Sequence, residues 1–180
     1  MNIDNLRLSM SVLGKEEVQA IRKVILEDGY LGMGLEVKLF EKEIAKYLGI
    51  PHEWVVCVSS GTAALHLAVE ATTNPGDEVL VQSLTYVSSF QAISASNTTP
   101  IPCDVDIDSG TISIEDAKNR ITDNTKIIMP VHYASNPHQI DNIYSFAKKN
   151  KLRVIEDAAH AFGCKYKGKK NRFIWRHCLL

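Results

Sequence analysis

Two acidic residues and a histidine follow a short apolar run near the end of the sequence, in the stretch 154–163. The apolar pair at its start leads directly into Glu156 and Asp157, and His160 comes three residues after the second acid. An apolar run that stops at an acid is typical of a buried parallel strand, which delivers a carboxylate to the sheet edge where open α/β sheets bind ligands. A carboxylate there can pair with a cationic ring nitrogen. The alternative is that both acids cap a following helix.

A second candidate is the stretch 59–64, where Ser60, Gly61, Thr62 and Ala63 stand between a strand-like run and a helix-like run. Glycine lets a ligand approach the backbone closely, and the exposed amides of a helix N-terminus bind phosphate together with neighbouring hydroxyls. The segment has neither the glycine spacing of a dinucleotide site nor the lysine of a P-loop. The alternative is a hydroxyl-capped helix start that binds nothing.

Two further residues follow predicted strands. Tyr86 lies in the stretch 82–89, where it could stack on a flat ring, although packing against its own helix is the alternative. His132 stands at a strand end, where it is either a catalytic group or a hydrogen-bonded structural histidine. Together these residues form a phosphate cradle, a stacking ring, a carboxylate and two histidines. This set favours an aromatic cofactor that carries a phosphate over a metal site or acyl transfer, because no G-x-S-x-G elbow is present.

The elements that must position these residues alternate along the chain. A helix over 13–28, a glycine-rich loop over 29–34 and a second helix over 35–48 come first. Five strands are then predicted at 54–58, 78–81, 99–105, 126–132 and 153–156, and they alternate with helices at 62–71, 87–96, 113–121 and 139–149. This order predicts an α/β fold with a mostly parallel sheet and flanking helices, and right-handed crossovers place the loops after the strands at one edge.

Composition narrows the class of protein. A chain of 180 residues that is 45% hydrophobic suits one domain, or one domain and part of a second. The net charge of −1 gives no electrostatic case for nucleic acid or an anionic membrane as a partner. No apolar run is long enough to span a bilayer, and the N-terminal residues lack a signal pattern, so the sequence predicts a cytoplasmic protein. The four cysteines are scattered without metal-ligand spacing, and no metal is expected.

Six short segments, in their order, carry a resemblance to fold-type I enzymes that use pyridoxal phosphate (PLP). More closely, they resemble the nucleotide-sugar aminotransferases called the DegT family. The segments are Ser-Ser-Gly-Thr-Ala-Ala-Leu at 59–65, Pro-Gly-Asp-Glu-Val at 75–79, Thr-Tyr at 85–86, Asp-Val-Asp at 104–106, Pro-Val-His-Tyr at 130–133 and Ile-Glu-Asp-Ala-Ala-His-Ala at 155–161. They extend over nearly the whole chain, and as an ordered set they are specific.

The resemblance implies a role for each candidate residue. Asp157 would pair with the protonated ring nitrogen of PLP, Tyr86 would stack on the ring, and His160 would lie beside the ring near its phenolic oxygen, as a candidate catalytic group. The phosphate would be held by Ser60, Gly61, Thr62 and Ala63. The family's reaction moves an amino group from glutamate to a keto-sugar linked to a nucleoside diphosphate, for surface polysaccharides or glycoconjugates. Its members are homodimers, and the loop 29–34 matches a segment that reaches the neighbouring subunit's site.

The chain departs from the family after Asp157. The lysine that anchors PLP as a Schiff base lies roughly two dozen or more residues beyond the aspartate, and the chain ends before that position. The lysines between 165 and 170 come too early. We therefore expect a PLP-transferase large domain that lacks its last strands and its small domain. Such a chain would be inactive or nearly so, and it would be poorly soluble because an apolar sheet edge is left open.

The last ten residues suggest a cause. Residues 169–171, Lys-Lys-Asn, can be encoded by an unbroken run of A followed by T. Removal of one A from a permitted set of codons turns the tail into Ile-Gly-Ser-Phe-Gly-Asp-Ile-Val-Cys, which is the family's pattern. Trp175 has a single codon, so the shifted frame must give glycine there. We expect residues 1–170 to form the start of the large domain and 171–180 to be an out-of-frame tail.

Two other functions stay open. Some members of the family are PLP-dependent sugar dehydratases in which histidine replaces the anchor lysine, and that position lies beyond Leu180. A non-catalytic role, as a cofactor-binding or dimerising fragment, is the second.

Overall fold

The computed structural model describes residues 11–137, 139–167, 169–170 and 178–179, with the backbone alone at 28, 169–170 and 178–179. These residues divide into two compact units, Met1–Val55 and Val56–Leu180. Each unit is built from the elements that its own sequence pattern favours.

The first unit contains two helices. Helix α1 is Lys15–Lys23 and continues into a π-helical turn at Val24–Asp28, and helix α2 is Leu35–Leu48. A 3₁₀ turn follows at His52–Trp54. Both helix predictions are confirmed, with α1 beginning two residues later than expected. Gly49 ends α2 at φ 70°, in the left-handed conformation that favours glycine.

The second unit contains a parallel sheet with its helices. Its strands are β1 (Glu78–Gln82), β2 (Thr99–Cys103), β3 (Thr125–Met129) and β4 (Arg153–Val154), in the order β2-β1-β3-β4. The helices are α3 (Gly61–Glu70), α4 (Ser88–Ala95), α5 (Ile114–Arg120) and α6 (Ile140–Lys149). Smaller elements are a 3₁₀ turn at Tyr133–Ser135, the parallel pair β5 (Glu156–Asp157) with β8 (Cys178–Leu179), and the antiparallel pair β6 (Lys165–Tyr166) with β7 (Lys169–Lys170).

The sheet has an apolar core on each face. Side chains of a strand alternate between faces, so a strand that is buried on both faces needs a nearly continuous run of apolar residues. On one face Val79, Val81 and Met129 pack with residues of α3 and α4. On the other face Leu80 and Ile128 pack with residues of α5 and α6. The near-continuous apolar runs of β1 and β3 follow from this arrangement.

Strand β2 lies at the edge of the sheet, where its two prolines can be accommodated. Pro100 and Pro102 have no N–H to donate, and a strand with that defect is tolerated only where one side has no hydrogen-bonding neighbour. The backbone of β2 pairs with β1 alone among the described residues.

The predicted strand at 54–58 is wrong. Trp54 ends the 3₁₀ turn, the residues after it have no regular structure, and the side chain of Val56 is 72% exposed. No strand within the described ranges pairs with this segment. An apolar run is buried as a strand only when a neighbouring strand accepts its backbone hydrogen bonds, and that condition cannot be read from the run itself.

Three other predicted strands end early or are divided in the structure. The strand expected at 99–105 ends at Cys103. The strand expected at 126–132 ends at Met129, because Pro130 cannot donate to a ladder, and Val131 makes an isolated bridge to Asp157. The strand expected at 153–156 is divided at Ile155 into β4 and β5.

We expect the thiol of Cys103 to resist alkylation in the folded chain. The side chain is fully buried at the end of β2, and burial raises the pKa of this thiol to about 11, with a smaller contribution from the Asp116 carboxylate. Because the thiolate is the reactive form, a variant that keeps Cys103 alone should react with a thiol reagent at pH 8 only after unfolding in urea. A variant that keeps only the partly exposed Cys164 is the control. Equal rates for both folded variants would contradict the expectation.

Candidate functional site

Asp157 is the carboxylate that the sheet presents at its carboxyl edge. Its backbone N–H donates to the Pro130 carbonyl at 3.0 Å, and its carbonyl accepts from the His132 N–H at 3.0 Å. These bonds join β5 to the segment that follows β3. The side chain therefore lies just past the strand ends, and it is 8% exposed.

Two donors hold the Asp157 carboxylate. Oδ1 accepts from the Ala159 N–H at 3.2 Å, and Oδ2 accepts from the Ser89 hydroxyl at 3.3 Å. The Ser89 Oγ also lies 2.8 Å from Thr85 Oγ1. Residues 158–163 form turns, not a helix, so the interpretation of Asp157 as a helix cap is wrong. An ionised carboxylate has about four acceptor positions, so capacity remains for a further donor.

Glu156 points away from Asp157, because successive side chains of a strand face opposite sides. Its Oε2 lies 2.6 Å from the Nε2 of His132, and its Oε1 accepts from the Tyr144 hydroxyl. Glu156 is fully buried and His132 is 2% exposed. His132 is thus the hydrogen-bonded structural histidine of the two alternatives. One signal for this network is visible in the sequence, where an acid and a histidine each end an apolar run.

The N-terminus of α3 presents backbone amides that could bind a phosphate, and this first turn is called the cradle. The Ser60 Oγ caps the helix by accepting from the Ala63 N–H at 3.1 Å. The amides of Gly61 and Thr62 have no acceptor within the described part of the chain. A Cβ added to Gly61 would meet no atom within 4 Å. The short connection 71–77 returns from the end of α3 to the start of β1, so the first turn of α3 points toward the sheet's carboxyl edge.

The two candidate ring side chains lie on the surface of the same edge. Tyr86 follows β1 and is 73% exposed, so the expectation of packing against its helix does not hold. His160 is exposed, and its ring centroid lies 6.3 Å from that of Tyr133 with a tilt of 58°. The backbone carbonyl of His160 accepts from the Ser135 hydroxyl. Tyr86 and His160 are therefore both exposed to solvent.

Gln82 connects the loops of the site through its side-chain hydrogen bonds. It was not among the site residues predicted from the sequence. This fully buried residue ends β1. Its side-chain amide donates to the carbonyls of Leu84 and Gly110, at 2.8 and 3.0 Å, and accepts from the Val131 N–H at 3.3 Å. One side chain thus fixes the loops after three neighbouring strands. A polar residue at the end of an apolar strand was the available signal.

The loop after β3 contains a strained residue. Ala134 has φ 49° and ψ 37°, a left-handed conformation that costs about 1–2 kcal/mol for a residue with a Cβ. We expect Ala134→Gly to raise the free energy of unfolding by about 1 kcal/mol, since the side chain is exposed and glycine adopts this conformation freely. Urea unfolding measures the change. The control is Ala95→Gly in α4, which should lower stability because its backbone is helical. An equal loss in both variants would show that Ala134 is not strained.

Within the described ranges, no group of His, Cys, Asp and Glu side chains could hold a metal ion. No helix in those ranges is long and apolar enough to cross a membrane.

The residues present fit a planar ring that carries a phosphate. Two free amides and an unobstructed glycine at the start of α3 suit a phosphate. The Asp157 carboxylate, nearly buried and with acceptor capacity left, suits a cationic ring nitrogen. The sheet and this edge define an α/β domain of the PLP-dependent transferase type I class.

Comparison with known families agrees with this class. Residues 11–171 match the model of the DegT/DnrJ/EryC1/StrS aminotransferase family, and the chain belongs to that family.

Solved structures are similar to the chain over most of its length. The aminotransferase TlmJ from Streptoalloteichus hindustanus is 32% identical with a TM-score of 0.76, covering 83% of this chain and 41% of that one. NtdA from Bacillus subtilis, solved with the cofactor PMP bound, is 30% identical with a TM-score of 0.78, covering 88% and 37%. The E. coli GDP-4-keto-6-deoxy-D-mannose-3-dehydratase, with bound hydrated PLP, is 28% identical with a TM-score of 0.81, covering 92% and 43%. The chain thus spans less than half the length of these proteins.

Proposed function

We infer that this chain supplies the PLP site of a sugar aminotransferase. The observation that carries the proposal is the Asp157 carboxylate, held by Ser89 and the Ala159 amide at the same sheet edge as the open N-terminus of α3. When bound, PLP supplies an electron sink for reactions at a carbon that bears an amino group. A structure that presented only the cradle, or only the carboxylate, would not favour this class of cofactor.

The chain's own residues have distinct roles in this proposal. The Asp157 carboxylate would accept a hydrogen bond from the protonated ring nitrogen, which would keep the proton on that nitrogen. The amides of Gly61 and Thr62 bind the phosphate, and Ser60 and Ala63 keep the first turn of α3 in shape through their hydrogen bond. Tyr86 covers one face of the ring. His160 lies beside the ring, where its imidazole is the candidate catalytic group.

The substrates and partners of the whole enzyme follow from the family. We propose glutamate as the amino donor and a keto-sugar linked to a nucleoside diphosphate as the acceptor, in the cytoplasm, for surface polysaccharide or glycoconjugate sugars. We also propose a homodimer, with the loop 29–34 contributing to the neighbouring subunit's site. The similarity to the E. coli dehydratase favours a second candidate, a PLP-dependent sugar dehydratase. A dimerising fragment without catalysis is the third.

The 180-residue chain alone is proposed to have no transaminase turnover. Covalent anchoring of PLP takes a lysine near the ring. Of the lysines soon after Asp157, Lys165 is exposed, and Lys167 is exposed and paired with the Asp141 carboxylate on α6. Turnover of glutamate by the purified chain would contradict this part of the proposal.

The out-of-frame origin of residues 171–180 also stays a proposal. Residues 171–177 and 180 lie outside the described residues, and 178–179 form β8. The coding DNA after the codon for Lys167, read in three frames, tests the idea. A frame that continues through a lysine would support an aminotransferase, and a histidine at that position would support the dehydratase.

Cofactor binding tests the central proposal. The purified chain is titrated with PLP by equilibrium dialysis, and in parallel with pyridoxal, which has the ring without the phosphate. We expect PLP to bind and pyridoxal to bind at least tenfold more weakly, because the phosphate contacts at α3 are lost. Equal binding of both compounds would contradict the assignment of the cradle. Absence of PLP binding would overturn the proposed function of this chain.

A further inference from the structure

We propose that Ser89 is a positioning residue for the cofactor, and that with Thr85 it forms a hydroxyl relay that fixes Asp157 relative to Tyr86. This inference rests on the proposed function, because it concerns how the PLP site is held in shape. The relay is defined as the hydrogen-bonded series Thr85–Ser89–Asp157.

Ser89 is fully buried in the first turn of α4. Its Oγ lies 2.8 Å from Thr85 Oγ1 and 3.3 Å from Asp157 Oδ2. An ionised carboxylate accepts hydrogen bonds and donates none, so the single hydroxyl hydrogen of Ser89 goes to Asp157. The Thr85 hydroxyl must then donate to Ser89. The direction of both hydrogen bonds is thereby fixed from Thr85 toward Asp157.

The relay also holds the segment that carries Tyr86. Thr85 immediately precedes Tyr86, and the Ser89 N–H donates to the Tyr86 carbonyl at 3.2 Å. Ser89 therefore contacts Thr85 through its hydroxyl and the Tyr86 carbonyl through its backbone N–H. Tyr86 is 73% exposed, so its side chain has little packing around it and the position of its backbone matters more.

The relay links Asp157 to the segment that carries Tyr86, and these two residues are assigned to different parts of one planar ligand. Asp157 is assigned to the ring nitrogen and Tyr86 to the ring face, and these two contacts must agree in position if both are to form at once. No other side-chain hydrogen bond in the described ranges connects Asp157 to the segment that follows β1. Among the described residues, Ser89 is thus the side chain whose hydrogen bond links the Asp157 carboxylate to the segment that carries Tyr86.

The experiment compares four variants of the chain. Ser89→Ala removes both hydrogen bonds of the relay, and Thr85→Val removes only the bond between Thr85 and Ser89. Ser89→Thr keeps a hydroxyl at position 89. Ser88→Ala is the matched control, since Ser88 is also buried in the same turn of α4 and takes no part in the relay. PLP affinity is measured by equilibrium dialysis. The second readout is the ¹⁵N chemical shift of PLP labelled at the ring nitrogen, which reports the hydrogen bond to Asp157.

We expect Ser89→Ala to weaken PLP binding about tenfold and Thr85→Val about threefold, since one lost hydrogen bond changes an equilibrium by about these factors. Ser89→Thr and Ser88→Ala should bind within about twofold of the unchanged chain. The ¹⁵N shift should move away from its protonated value in Ser89→Ala and stay in Ser88→Ala. A purely structural role for Ser89 would lower the melting temperature without moving this shift.

Several outcomes would overturn the inference. If the unchanged chain and Ser89→Ala bind PLP equally, with the same ¹⁵N shift, the relay has no positioning role and the proposed function still stands. If the unchanged chain binds no PLP, the proposed function and this inference fail together. If Ser89→Ala does not fold, Thr85→Val decides, because unchanged affinity and unchanged shift in that variant would overturn the relay.

Discussion

Asp157→Ala should abolish most of the PLP affinity of the chain, with a loss of about 100-fold. The variant removes the partner of a cationic ring nitrogen at a site that is 8% exposed, where a charge-assisted hydrogen bond contributes about 1.5–3 kcal/mol. It also removes the acceptor of the Ser89 hydroxyl and the Ala159 amide. Both effects weaken binding. The ring nitrogen loses its acceptor, and the Ser89 hydroxyl and the Ala159 amide lose the carboxylate that orders them at the site.

A second substitution separates charge from shape. Asp157→Asn keeps the size of the side chain and one carbonyl oxygen that can accept from the Ala159 amide. It removes the negative charge. We expect it to lose nearly as much affinity as Asp157→Ala while the fold stays close to that of the unchanged chain. Binding is measured by equilibrium dialysis, and folding by far-ultraviolet circular dichroism and urea unfolding.

The control for charge lies at the other edge of the sheet. Asp123 is exposed in the turn before β3, so Asp123→Asn changes the net charge by the same amount without touching the site. It should bind PLP like the unchanged chain. If Asp123→Asn and Asp157→Asn weaken binding equally, the effect is one of overall charge, and the assignment of Asp157 to the ring nitrogen is lost.

Local pattern and covalent geometry predicted most of the second unit. The apolar runs of β1 and β3 are strands buried on both faces, and the prolines of β2 lie in an edge strand, where they are tolerated. The N-cap of α5 is also local in sequence, since the Ser113 Oγ accepts from the Asp116 N–H at 3.2 Å. In each case the physical cause lies within a few residues of sequence.

The errors have a common cause, which is a partner distant in sequence. The run 54–58 has the composition of a strand but no strand partner among the described residues. The cap interpretation of Asp157 failed because its oxygens bind Ser89, 68 residues away, and the Ala159 amide in a turn. The role of His132 stayed open for the same reason, since Glu156 is 24 residues away. Pairings of this kind are properties of the fold and not of either segment.

The buried pair of His132 and Glu156 gives the largest expected effect on stability. His132→Leu should lower the free energy of unfolding by about 3–5 kcal/mol, because it leaves the fully buried Glu156 carboxylate without its imidazole partner. The Tyr144 hydroxyl still donates to that carboxylate, but one neutral hydrogen bond does not replace the lost partner. A loss of this size is a large part of the stability of an ordinary domain. Urea unfolding followed by circular dichroism measures it.

The double variant His132→Leu/Glu156→Leu should be more stable than His132→Leu alone. Removal of both polar groups leaves no uncompensated charge, and replacing a buried ion pair with apolar residues is often close to neutral. His160→Leu serves as the control, because that imidazole is exposed and a change there should stay within about 0.5 kcal/mol. Glu156→Leu is measured as the second single variant. If the loss of unfolding free energy in the double variant equals the sum of the losses in the two single variants, the side chains are not coupled. The connection from β5 to the segment after β3 would then depend on the backbone bonds of Asp157 and not on this pair.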